Sequence, residues 1–253
     1  MVSVGFTRQN GRSASPGALR ACGGGGHLLN APAMLASLSH VRNWIFDLDN
    51  TLYPASANLF AMIDTRIGEY VQRLLHCSPK EAHKVQKAYF HAHGATLYGL
   101  IEEHGTDPHD YLDYVHDVDM SVLEANEALV EALARLPGRK LIFTNGDAPY
   151  AQKVLDRLGL GETFEAIHDI HATSYRPKPE PSAYQGLCDA YGLDPHASLF
   201  VEDMARNLGP AKAIGMTTVW IDNGSEQAPD ADRSFIDYTI TDLGAWLHSI
   251  LES

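Results

Sequence analysis

Residues 44–54 read Trp44-Ile45-Phe46-Asp47-Leu48-Asp49-Asn50-Thr51-Leu52-Tyr53-Pro54. An apolar run ends in two carboxylates spaced i, i+2, and turn-forming Asn50 and Thr51 follow at once. Strand side chains repeat every two residues, so this spacing can put both acids on one side of a strand end. Acids that close repel each other unless a cation or a proton lies between them, and the pair therefore invites a metal. A chain that merely needed to fold has little use for two acids beside Trp44, Ile45 and Phe46. The stretch reads as a buried strand carrying a catalytic site at its carboxyl end.

Outward from this strand the pattern alternates. Strands are expected at 43–48, 140–144, 166–169, 198–202 and 217–221, with a weaker one near 236–240. Helical stretches at 148–158, 181–191 and 205–214 lie between the later ones. Strand and helix in alternation imply an α/β protein, a doubly wound and mostly parallel sheet with helices on both faces. Residues 55–135 break the rhythm, with helical patterns around 56–76, 79–93, 95–104, 108–116 and 124–135 and no convincing strand. An insertion of roughly 70 to 80 residues is too long for an ordinary crossover. The expected organisation is a core of 41–54 and 136–253 with a helical cap of 55–135 inserted after the first strand. Ligands of such sheets bind at the carboxyl ends of the strands, so the cap would roof Asp47.

Three further islands fall at strand tips. Lys140-Leu141-Ile142-Phe143-Thr144-Asn145-Gly146 ends in a hydroxyl, an amide and a glycine turn. Thr144, Asn145 and the following backbone N–H groups suit phosphate oxygens, although Asn-Gly also marks a plain turn. In Tyr175-Arg176-Pro177-Lys178-Pro179-Glu180-Pro181 two prolines restrain the backbone around Lys178, whose ammonium can neutralise an anion. Phe200-Val201-Glu202-Asp203-Met204-Ala205-Arg206-Asn207 again ends a strand in paired carboxylates, before a helix starting near Ala205. Hard cations such as Mg²⁺ take such oxygens, while a helix N-cap is the structural alternative for Asp203. Arg206 reads as a surface helix arginine, and His91 and His93 as solvated side chains without a third ligand.

In order and spacing the four islands resemble the motifs of the haloacid dehalogenase-like superfamily of phosphohydrolases. Asp47 and Asp49 match its first motif, Thr144 its second, Lys178 its third, and Glu202-Asp203 with Asn207 its fourth. A narrower likeness is to the pyrimidine 5′-nucleotidase branch, carried by 49–54, Gly94-Ala95-Thr96-Leu97-Tyr98-Gly99-Leu100, 143–147 and 207–212. That branch usually carries a basic residue where this chain has Tyr98.

The resemblance implies phosphoryl transfer through an aspartyl-phosphate. Asp47 would be the nucleophile and Asp49 the general acid and base. Mg²⁺ would be held by Asp47, the Asp49 backbone carbonyl and Asp203, with Glu202 nearby. Thr144, Asn145 and Lys178 would hold phosphate oxygens, Asn207 would orient Lys178 or Asp203, and Thr96, Leu97 and Tyr98 would read the leaving group. The expected substrate is a small phosphorylated metabolite, foremost a pyrimidine nucleoside monophosphate such as UMP or CMP. Phosphoglycolate or sugar-phosphate hydrolysis, a mutase, and a catalytically silent binding protein are the alternatives.

Composition agrees. The 253 residues are 45% hydrophobic and 20% charged, enough apolar material for a sizeable core. A formal charge of −13 argues against a general nucleic-acid partner. No apolar run reaches the roughly 18 residues that a membrane-spanning helix needs. Cys22, Cys77 and Cys188 match no metal-ligand spacing and read as reduced thiols, consistent with a cytoplasmic monomer or dimer. Residues 1–40 contain Arg8, Arg12 and Arg20, no acid, and the run Gly23-Gly24-Gly25-Gly26. That composition cannot bury a core. The segment is read as a disordered extension, a transit segment or a start assigned upstream of Met34.

Overall fold

The computed structural model describes residues 38–225, 227 and 233–252, so nearly all of the expected N-terminal extension and Cys22 lie outside the described residues. Six parallel strands form one sheet, in the order β3-β2-β1-β4-β5-β6. These are β1 (Asn43–Phe46), β2 (Arg139–Phe143), β3 (Ala166–His168), β4 (Ser198–Glu202), β5 (Thr217–Ile221) and β6 (Tyr238–Ile240). The order reverses at β1, which pairs with β2 on one side and β4 on the other. Phe46 aligns with Ile142 and with Val201, so the ends of the three strands stand level.

Period-two alternation explains both layers. Trp44 and Phe46 join Ile142, Leu199 and Val201 in one apolar core, whereas Ile45, Leu141, Phe143 and Phe200 point into the other. Helices α6 (Ala148–Arg157) and α9 (Leu243–Leu251) cover the first face, and α7 (Pro181–Tyr191) and α8 (Ala205–Ala213) the second. Such two-sided burial is why the strands read as continuous apolar runs. No helix among the described residues is long and apolar enough to cross a membrane.

Helices α1 (Leu59–Leu75), α2 (Pro79–His93), α3 (Thr96–His104), α4 (Pro108–Val115) and α5 (Glu127–Arg135) lie between β1 and β2. The first four pack on one another. Helix α2 starts at a capping box in which Ser78 and Glu81 satisfy each other's backbone N–H groups, with Pro79 in the first turn. It ends at Gly94 (φ 92°), whose α-carbon faces the Lys178 carbonyl and the Pro179 ring so closely that a Cβ would collide with them.

The expected cap boundary at residue 135 takes in one helix too many. Helix α5 packs on α9, with His248 Nε2 3.1 Å from the Ala128 carbonyl oxygen, and buries Leu129, Ala132 and Leu133 in the sheet-side core. Its apolar stripe needs a second apolar face to bury against, and α9 supplies it. The expected elements end at 240, yet α9 follows with Asp242 as its cap and Leu243, Trp246, Leu247 and Ile250 at helical spacing.

Candidate active site

At the carboxyl end of the sheet, where the strand order reverses, four chemical groups meet. The Lys178 ammonium is buried and donates to Asp47 Oδ1 at 2.7 Å, to Glu202 Oε2 at 2.8 Å and to the Phe143 carbonyl at 2.7 Å. All three of its donors are therefore used by the protein. Lys178 does not present a free N–H to a ligand as expected, because two carboxylates and a strand-end carbonyl surround it. The loop that carries it is fixed by Asn145, which accepts from the Lys178 N–H at 2.8 Å and donates to the Lys178 carbonyl at 3.2 Å.

Asp47 is also held through its other oxygen, which accepts from Thr51 Oγ1 at 2.9 Å, and its N–H bonds to the Val201 carbonyl. Glu202 splits its oxygens between Lys178 and the Met204 N–H, at 3.1 Å for the latter. It therefore orients the lysine. Asp203 stands one residue before the Met204 N-cap, and the Ala205 N–H at the helix start is taken by Gln227 Oε1 at 3.0 Å, so the Asp203 carboxylate is not consumed as a cap. Asp49 accepts at Oδ1 from both Tyr53 Oη (2.6 Å) and Tyr150 Oη (2.5 Å).

Burial dominates the titration of this cluster. It pushes Asp47 up to about 7, with Glu202 adding repulsion and Lys178 pulling the other way. Asp203 lies well above the usual carboxylate range, through burial and then repulsion by Glu202 and Asp47. Burial opposes the charge of Lys178, but Asp47 and Glu202 outweigh it and hold its pKa above the ordinary lysine value. Burial and then Asp49 raise the Tyr53 and Tyr150 phenols, which remain hydrogen-bond donors.

The donor set fits a hard divalent cation. Asp47, Glu202 and Asp203 each bring an oxygen within 4.8 Å of the others, and one ammonium, paired with Asp47 and Glu202, stands against three buried carboxylates in the cluster. Asn207, expected to orient Lys178 or Asp203, bonds through its side chain to neither. Its Oδ1 is buried without a hydrogen-bond partner among the described residues, and it lines the same cavity as Asp203. An orphaned acceptor beside acidic oxygens suits a hydrated cation.

A cavity of about 370 Å³ opens above these groups, roofed by the helical insert. Asn145 and Gly146 line it, whereas Thr144 does not: its side chain is buried and its hydroxyl accepts from the Gly146 N–H at 3.0 Å, shaping the turn. Thr96 and Leu97 face the cavity, but Tyr98 does not. One more step of about 100° around α3 carries Tyr98 to an outer depression, where it packs against His93. Arg206 is not a plain surface arginine, since its guanidinium lies 4.3 Å from the Phe90 ring centroid and reaches the Gly94 carbonyl. Thr51, Tyr53, Tyr150 and His116 were missed. The i, i+4 spacing of Thr51 from Asp47 and of Tyr53 from Asp49 was a local signal; Tyr150 and His116 had none.

Fold and site together define a doubly wound α/β protein with an acidic, lysine-balanced centre at the switch point. Residues 41–215 match the haloacid dehalogenase-like hydrolase family, and the chain belongs to it. It is 26% identical over 191 residues to phosphate metabolism protein 8 of Saccharomyces cerevisiae, covering 68% of this chain and 59% of that protein. It is 24% identical to the N-acetylmuramic acid 6-phosphate phosphatase of Pseudomonas aeruginosa, covering 71% of this chain and 81% of the enzyme. With the phosphoglycolate phosphatase of Rhodospirillum rubrum it shares 30% over 131 residues, 50% of this chain and 53% of that one. The chain thus spans less than two thirds of two of these relatives. Among solved structures, a phosphatase of the family from Thermococcus onnurineus superposes with a TM-score of 0.53 at 19% identity, covering 84% of this chain and 97% of that one. At that identity the likeness speaks for the fold.

Proposed function

We propose that this chain is a Mg²⁺-dependent phosphomonoesterase acting through an aspartyl-phosphate, with pyrimidine nucleoside 5′-monophosphates as its substrates. The observation that carries the reading is the grip of Lys178 on Asp47 beside two further buried carboxylates, with Asp49 held two residues away. Asp47, the Asp49 backbone carbonyl and Asp203 would hold the cation, with Glu202 fixing Lys178 behind them. When bound, Mg²⁺ supplies positive charge that offsets the repulsion between Asp47 and a phosphate.

Asp47 Oδ2 attacks phosphorus as the ester oxygen leaves, and Asp49 gives that oxygen a proton. Asp49 then takes a proton from the water that hydrolyses the acyl-phosphate. The Asn145–Gly146 turn and the charge of Lys178 hold the transferring group. Thr144 acts behind that turn. The insert excludes water from the site.

Two of the named relatives are phosphatases of small phosphorylated metabolites. A dehalogenase needs the nucleophile without a second metal-binding acid, and Asp203 favours the phosphatase. The nucleotide reading rests on the sequence likeness and on the roof. Phe60 and Phe90 offer flat apolar surface to the cavity, and Asp64 offers a carboxylate bonded by Gln86 at 2.7 Å. Phosphoglycolate would leave those walls unused. Assaying phosphate release from UMP, CMP, phosphoglycolate and hexose phosphates, with Mg²⁺ and with chelator, tests the reading. Nucleotide turnover that needs Mg²⁺ is expected; negligible nucleotide turnover beside active hydrolysis of another ester would overturn the substrate assignment.

A further inference from the structure

We propose that Tyr150 and His116 are positioning residues that make the proton-transfer geometry of Asp49 depend on the seating of the helical insert. This deepens the phosphatase reading and rests on it. Tyr150 opens α6 on the sheet side and is fully buried. Its hydroxyl donates to Asp49 Oδ1, the same oxygen that Tyr53 holds. Two donors on one oxygen fix the carboxyl plane, and Oδ2 is left to exchange a proton with the leaving oxygen.

What holds Tyr150 comes from the other part of the chain. His116 ends α4, and its ring stacks on the Tyr150 ring with centroids 4.1 Å apart and planes at 14°. Its Nδ1 lies 2.9 Å from Asp147 Oδ1, the oxygen that also caps α6 at the Tyr150 N–H. His116 thus stacks on the Tyr150 ring and lies against the oxygen that caps its helix, while the neighbouring Val115 lines the cavity roof. Moving the insert removes the stack, and Asp49 keeps Tyr53 alone. Proton donation is then well aligned when the roof is in place.

The test uses leaving groups of different need. The phenolate of p-nitrophenyl phosphate departs without a proton, whereas an alkoxide such as that of β-glycerol phosphate requires one. The ratio of kcat/KM for the alkyl ester to that for the aryl ester is measured in Tyr150→Phe, His116→Ala and His116→Phe. General acid catalysis contributes roughly 10²–10⁴-fold, so misaligning the acid should lower the ratio about tenfold in Tyr150→Phe and His116→Ala. His116→Phe keeps the stack and should retain most of the wild-type ratio. A merely structural role would lower both esters alike, and an unchanged ratio in Tyr150→Phe and His116→Ala overturns the proposal. If the wild-type protein releases phosphate from neither ester nor from the nucleotides, phosphoglycolate and hexose phosphates named above, the phosphatase reading itself fails and the positioning role with it.

Discussion

The α-carbon of Gly94 packs directly against the carbonyl oxygen of Lys178, with no room for a side chain between them. The helical insert therefore rests on the loop that aims the lysine. Gly94→Ala combines a positive φ with a backbone collision, and the lysine loop or the insert must shift. A displacement near 1 Å at a reacting centre costs on the order of 100-fold in rate. We expect kcat to fall by about that factor, with a stability loss of ~1–3 kcal/mol; steady-state kinetics and thermal unfolding check both.

Asp47→Asn should cut phosphate release at least about 1,000-fold by removing the nucleophile. The fold should persist, because Lys178 keeps Glu202 and the Phe143 carbonyl. Circular dichroism and a phosphate-release assay on one preparation separate these effects; undiminished release would remove the covalent route.

Lys178→Met strands buried carboxylates without their cation, and breaking such a pair costs roughly 3–5 kcal/mol. Adding Glu202→Gln removes one of those charges and should recover part of the loss. Denaturant unfolding of the two single variants and the double variant measures the coupling. Strict additivity would mean that the ion pair is not the source of the cost.

Metal stabilisation should depend on pH in a defined direction. Asp47 has its native pKa raised to about 7 from 3.8, so between those values the native state binds more protons than the unfolded chain. Without metal its contribution to stability falls as pH rises through that window. A cation competes with the same proton, so Mg²⁺ should raise the unfolding temperature clearly at pH 8 and little at pH 5.5. Equal shifts at both pH values would place the ion elsewhere.

Asp64→Asn should lower kcat/KM for UMP relative to β-glycerol phosphate by about tenfold, the scale of one lost polar contact to a ligand. An unchanged ratio would show that Asp64 does not meet the leaving group.

Much of this was legible in sequence because it is local. β1, β2 and β4 announce themselves as apolar runs, and Asp47, Lys178 and Asp203 follow at their tips or in the loop beside them. What escaped depends on partners distant in the chain. Helix α5 carries an apolar stripe that suits either an insert or a sheet, and contact with α9 decides between them. Tyr150 reads as an ordinary buried aromatic until Asp49, 101 positions away, lies beneath its hydroxyl. Tyr98 was placed at the substrate by resemblance, and the turn of α3 sends it outward. Asn145 lines the cavity where phosphate is expected, but nothing in the sequence signalled that its amide also holds both main-chain groups of Lys178.

That last bond reaches across 33 positions. Because a single amide grips both main-chain groups of Lys178, the β2 turn fixes the backbone from which the ammonium reaches Asp47 and Glu202. Loss of the Asn145 side chain is thus expected to shift the charge at the centre, although that side chain bonds only the main chain of Lys178.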